Sequence, residues 1–148
     1  MKNTKMPKIT WVKQKLYVSD IRELYTNLIT GDKVEKTYRG QFFGNLHPSI
    51  HKRLCKEPTE NVFEIEEFDG WDFYAGGFNL QDRELIGSYC CDGDGIVSIE
   101  LLTDGSIHLN VQGSYMLDLS PNIEEAIEEA TKYIKEEYPG IYEEFLNF

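Results

Sequence analysis

The sequence predicts an α+β fold: an antiparallel β-meander sheet with helices packed on one face, including a C-terminal amphipathic helix. Three observations carry this expectation. Runs rich in branched and aromatic residues cluster between Val62 and Leu119 instead of alternating with helical patterns. Asp-Gly pairs punctuate those runs at Asp69-Gly70, Asp92-Gly93, Asp94-Gly95 and Asp104-Gly105, and such pairs favour tight hairpin turns. An apolar stripe at helical spacing, Ile123, Ala126, Ile127, Ala130 and Ile134, follows them.

The elements read in order as follows. Ile9 to Val18 has strand composition, with Trp11 and Tyr17 in it. Ser19 then reads as an N-cap, and Asp20 suits the positive first turn of a helix. Ile21, Leu24, Tyr25, Leu28 and Ile29 repeat at i, i+3, i+4, i+7 and i+8, the stripe of a helix that Gly31 closes. Val34 to Phe43 predicts a strand with a bulge at Gly40. Pro48 suits the first position of a short helix running to Cys55. Glu57-Pro58-Thr59-Glu60-Asn61 is a loop.

From Val62 the chain predicts a meander of Val62–Phe68, Trp71–Ala75, Leu85–Cys91, Ile96–Leu102 and Ser106–Gln112, with Tyr115–Leu119 as a short addition. Ile107, Leu109 and Val111 alternate with His108, Asn110 and Gln112, the mark of a sheet with one buried and one wet face. Ser120 as N-cap and Pro121 as first helical residue open the last helix, and Pro139-Gly140 stops it. Phe145, Leu146 and Phe148 offer a docking edge beyond.

With 148 residues, 41% hydrophobic and 13% aromatic, the chain is expected to form one domain over residues 1–148. No stretch approaches the roughly 20 apolar residues that span a bilayer, and no apolar run follows the basic start to make a secretory signal. Three cysteines, Cys55, Cys90 and Cys91, make a poor disulfide framework and point to a reducing cytoplasm.

Charge is divided along the chain. Residues 1–56 carry 12 of the 15 Lys and Arg against four acids, whereas residues 57–148 carry 22 acids against Arg83, Lys132 and Lys135. The net charge of −11 disfavours nucleic acid and anionic lipid over most of the surface and favours a basic protein partner. Glu64, Glu66, Glu67, Asp69 and Asp72 surround Trp71 and Phe73, and Glu124, Glu125, Glu128 and Glu129 crowd the outer face of the last helix. Acids around an aromatic are what a docking surface would use, with Trp71 as its energetic centre. In the basic third, Lys36 and Arg39 are interleaved with Tyr38 and Phe42. Cations among ring faces suit a nucleotide or single-stranded nucleic acid. The same lysines can instead neutralise the acidic face, of this molecule or of a second copy in a homodimer.

Other motifs are weaker. His47, His51 and Cys55 recur every fourth position, one face of a helix that could clamp a metal. Asp92-Gly93-Asp94-Gly95 opens like a calcium loop, but Ile96 and Thr103 occupy its fifth and twelfth positions, so a hairpin turn is the expectation. Cys90 or Cys91 near His108 could form a nucleophilic site, one cysteine in the core and its neighbour exposed. No phosphate-cradling glycine motif is present, and no cofactor is expected. The leading expectation is a non-enzymatic inhibitor that covers a basic surface such as the nucleic-acid channel of a nuclease. Small cytosolic immunity proteins and phage anti-defence proteins share this size and charge, an analogy of composition alone. A nucleotide-binding domain and a small Cys/His enzyme are the alternatives.

Overall fold

The computed structural model describes residues 9–18, 21–45, 52–76, 85–92 and 96–147. The chain is α+β and mostly strand, in two sheets. The first contains β1 (Trp11–Val18), β2 (Ile21–Asn27), β3 (Lys33–Thr37), β4 (Phe42–Asn45), β5 (Arg53–Leu54) and β6 (Val62–Glu64), in the order β5-β4-β3-β2-β1-β6. The second contains β7 (Asp72–Ala75), β8 (Leu85–Cys90), β9 (Val97–Leu102), β10 (Ile107–Val111) and β11 (Ser114–Leu119), paired in sequence order.

The first sheet corrects four expectations. Ile21 to Asn27 is a strand, not a helix, and Ser19 and Asp20 lie outside the described residues. β2 is central, and its neighbours Tyr25 and Thr26 are both 1% exposed although they point to opposite faces. A strand buried on both sides loses its alternation, so its apolar residues imitate a helical stripe. Val34 to Phe43 is two strands. Gly40 sits at φ +82 in the turn between them, where its N–H donates to the Thr37 carbonyl at 2.9 Å. Arg53 and Leu54 pair with Gly44 and Phe43, so the expected helix does not reach Cys55, and its opening from Pro48 to His51 lies outside the described residues. β6 is only three residues long and runs parallel to β1, so the meander begins at β7 and not at Val62.

The second sheet has two unlike faces. Val97, Ile99 and Leu101 of β9 and Ile107, Leu109 and Val111 of β10 are all buried. They join Tyr89, Phe73, Trp71 and, from the first sheet, Val12 in one core cluster. The opposite face carries Ser98 and Glu100, paired with Asn110 and His108. A helix, α1 (Ile123–Glu137), lies against β10 and β11 and adds Ala126, Ile127, Ala130 and Ile134 to the core. A short turn of helix, α2 (Pro139–Ile141), and a π-helical turn (Tyr142–Leu146) follow it, and Leu146 is buried. None of the described helices is long and apolar enough to cross a membrane.

α1 starts two residues later than Ser120 and Pro121 suggest. Asn122 is the cap, and its Oδ1 accepts the Glu125 N–H at 3.1 Å. Changing Asn122 to Ala is expected to lower stability by about 1 kcal/mol. A denaturant midpoint equal to the wild type's would show that this cap holds nothing.

Candidate functional site

The acidic segment between β6 and β7 hangs between the two sheets, and each end is fixed. The Ile65 N–H donates to the Lys13 carbonyl at 3.1 Å. The Tyr89 hydroxyl donates to the Glu66 carbonyl at 2.6 Å. Burial, and then the Glu66 charge, raises the Tyr89 phenol, so it stays a neutral donor. Phe68 and Trp71 bridge across Asp69-Gly70, with the Trp71 N–H on the Phe68 carbonyl at 3.1 Å. Gly70 has φ +85 and Asp69 does not share that sign. The turn is therefore not the mirror-image type that needs positive φ at both central residues. Gln14 Nε2 donates to the Phe73 carbonyl at 3.3 Å and ties β1 to β7.

This backbone sorts its side chains. Phe73 and Tyr89 pack edge to face at 5.1 Å, and Phe68 meets Tyr89 at 5.6 Å. Glu64, Glu66, Glu67, Asp69 and Asp72 are all exposed. Trp71 is only 5% exposed, so the expected docking aromatic is a core residue instead. Its indole is the apolar weight that keeps the turn in place. The basic third reaches this cluster through Lys13, whose Nζ lies 3.9 Å from Glu64. Lys13 and Lys36 both approach Glu23, at 3.4 and 3.7 Å, and Lys52 meets Glu35 at 2.7 Å. These lysines neutralise acids of their own sheet.

A cleft of about 660 Å³ separates the acidic segment from the first sheet. Gln14, Leu24, Thr26, Lys15 and Lys33 line one side, and Glu66, Glu67, Asp69, Trp71 and Asp72 line the other. Thr26 was not singled out by any sequence signal. It is 1% exposed, and its Oγ1 has no hydrogen-bond partner among the described residues. A buried, unpaired hydroxyl is uncommon enough to mark a position.

The remaining candidate residues lie elsewhere. Glu124, Glu125, Glu128 and Glu129 are exposed on α1. Glu129 and Glu125 are occupied, however, by the Ser120 N–H at 2.8 Å and the Ser120 hydroxyl at 2.9 Å. α1 lies on β10 and β11, whereas the acidic segment enters at β7. Those edges are four strand spacings apart, about 19 Å, so the two acidic clusters approach the sheet from opposite edges. Lys36, Tyr38, Arg39 and Phe42 do gather on the β3–β4 hairpin, where Tyr38 is 76% exposed and Lys36 Nζ lies 5.8 Å from the Phe42 ring centre.

His47 and His51 lie outside the described residues, and Cys55 packs near Gly44 with its thiol raised by burial. The strand at Arg53–Leu54 removes the helical face that a metal clamp would need. Among the described residues, no three His, Cys, Asp or Glu side chains are grouped to hold a metal. Asp92 Oδ2 accepts the N–H groups of Ile96 and Val97, at 2.9 and 3.3 Å, and Gly93, Asp94 and Gly95 of the expected hairpin turn lie outside the described residues.

Cys90 and Cys91 are both buried, which corrects the expectation that one is exposed. Burial raises the Cys90 thiol and pushes Cys91 up to about 12, so neither is a ready thiolate. Cys90 does share the wet face with His108, whose Nδ1 lies 3.2 Å from Asp118 and whose ring meets Tyr115 edge-on. No family model, curated protein or solved structure matches this chain.

Proposed function

We propose that this protein is a non-enzymatic binding protein whose acidic segment docks on a basic protein surface, such as the nucleic-acid channel of a nuclease. The observation that carries this reading is the anchoring of that segment. Tyr89, Trp71, Gln14 and the Lys13 carbonyl fix its backbone, so the carboxylates of Glu66, Asp69 and Asp72 are displayed without further ordering. Preorganised charge lowers the entropic cost of association and raises its rate. The protonated, buried thiols of Cys90 and Cys91 favour binding over nucleophilic chemistry.

The test is surface plasmon resonance against a panel of immobilised cationic nucleases. At least one should bind with an association rate that falls as salt rises and should lose activity when bound. The variant carrying Glu66→Gln, Glu67→Gln, Asp69→Asn and Asp72→Asn should associate about tenfold more slowly. Equal binding and inhibition by that variant would remove the segment from the interface.

One observation favours a second reading. Tyr38, beside Arg39 at a hairpin tip, is an exposed ring next to a cation, the arrangement on which a nucleotide base stacks. It ranks second because Lys36 is engaged by Glu23 at 3.7 Å.

A further inference from the structure

The first sheet borders a second cavity, which shares no lining residue with the cleft beside the acidic segment. Residues 55–61 carry the chain from β5, at one edge of that sheet, to β6 at the other. This crossover is pinned along its length. The Cys55 N–H donates to the Phe42 carbonyl at 2.8 Å, and the Asn61 carbonyl accepts the Thr10 and Trp11 N–H groups at 2.9 and 3.1 Å. Between them the Tyr25 hydroxyl donates to Glu57 at 3.3 Å. Trp11 of β1 and Arg53 of β5 line the same cavity although three strands lie between them, so the sheet curls round it.

The cavity holds about 300 Å³, and its apolar walls come from Trp11, Val34, Leu54, Cys55 and Pro58. These walls are reachable from solvent: Leu54 is 66% exposed, and Trp11, Cys55 and Pro58 are half-buried. Gly44 gives the floor no side chain, and a Cβ there would stand 3.2 Å from the Cys55 sulfur and 3.3 Å from Val34. Burial raises the Cys55 thiol, so it lines the wall as a neutral group. Arg53 and Lys56, both exposed, and Asp32 complete the lining, two cations to one anion. Long cationic side chains lay their stems on apolar surface and keep their heads in water, so the mouth favours a negative charge.

An apolar cavity of about 150 Å³ holds one benzene ring, so this one has room for a two-ring aromatic. A neutral hydrocarbon would leave the cations at the mouth unused. A nucleotide would set its polar sugar against the apolar wall.

We propose that this cavity binds a small aromatic carboxylate. The ring system enters between Trp11, Leu54 and Pro58, and the carboxylate stays at the mouth with Arg53 and Lys56. This site does not depend on the docking reading above.

The experiment is an amide and indole NMR titration of the full chain with indole-3-acetate, indole and tryptamine, one ring system carrying a negative, no and a positive charge. Indole-3-acetate should shift the Trp11 indole N–H and the Val34 and Cys55 amides, with a Kd of about 1 mM or tighter. It should bind about tenfold more tightly than tryptamine. It should also slow the alkylation of Cys55 by iodoacetamide in the native protein, where Cys90 and Cys91 are buried. Arg53→Gln combined with Lys56→Gln, both at exposed positions, should bring indole-3-acetate down to the affinity of indole. Equal affinity of the three probes, or no shift at Trp11, would overturn the proposal. Unchanged alkylation of Cys55 under saturating indole-3-acetate would overturn it too, since the ligand would then lie elsewhere. A preference for the acid that survives in the double variant would overturn the assignment of its carboxylate to Arg53 and Lys56.

Discussion

Replacing Trp71 with alanine is expected to lower unfolding free energy by about 3–5 kcal/mol, the range for removing a buried aromatic. The indole is 5% exposed and shares one cluster with Phe73, Tyr89 and Ile99. Urea unfolding should show a lower midpoint with an unchanged slope. Trp71→Phe should keep part of the loss back, because a ring still fills the site. A surface docking residue behaves differently: its truncation changes stability by no more than about 0.5 kcal/mol and acts on the partner alone. Near-wild-type stability of Trp71→Ala would therefore overturn both the burial and the anchoring of the acidic turn. Asp69 and Asp72 can be neutralised without touching the core, whereas Trp71 cannot be changed without loosening the backbone that displays them.

The second half of the fold was legible in the sequence because its sheet is buried on one side only. Ile107, Leu109 and Val111 are buried while His108 and Asn110 are less so, and that alternation is printed in the residue order. In the first half β1 was legible as the run Ile9 to Val18, but β2 was not, because it is covered on both faces, and β5 and β6 are only two and three residues long. Strands that short carry no periodicity, and they exist through the neighbours they pair with. The same reason hid the partner of β6. Nothing in Val62, Phe63 and Glu64 says that they lie parallel to Trp11, Val12 and Lys13, since that pairing joins segments about fifty residues apart.

The candidate site was half legible. The density of carboxylates from Glu64 to Asp72 is a fact of the sequence, and their exposure follows from the cost of burying charge. The direction of Trp71 was not. An aromatic among acids reads equally as a docking anchor or a core plug until the packing of Tyr89 and Phe73 is known. Thr26 was invisible, because a threonine in a strand is ordinary and only its missing partner distinguishes it. The charge division also changed meaning on folding. Lys13, Lys36 and Lys52 are spent on Glu23 and Glu35 within their own sheet, and ion pairs near a protein surface contribute about 0–1 kcal/mol each. They tune the local field more than they hold the two sheets together.

Gly87→Ala is expected to cost about 3 kcal/mol, the upper part of the overpacking range. Gly87 lies on β8 opposite Ala75 of β7 and Leu101 of β9. A Cβ there would stand 2.6 Å from the Tyr74 carbonyl oxygen and closer still to the Phe73 ring. The carbonyl belongs to the backbone of β7 and cannot rotate away. The ring is held against Tyr89 at 5.1 Å and has little room to swing. The added methyl must therefore push β7 off β8, and β7 begins at Asp72, where the acidic segment ends. Two consequences should appear together: a lower unfolding midpoint, and faster amide exchange at Phe73 and Tyr74 than in the wild type. Gly76→Ala is the control, because among the described residues no atom beyond its chain neighbours lies within 4 Å of its Cβ position and its φ is not positive; it should stay within about 0.5 kcal/mol of the wild type. Phe73→Leu in the Gly87→Ala background should recover part of the loss, since the ring contact is relieved while the carbonyl contact remains. Equal stability of Gly87→Ala and Gly76→Ala would mean that the ring of Phe73 does not cover β8, and that the acidic segment is not held to the second sheet as described.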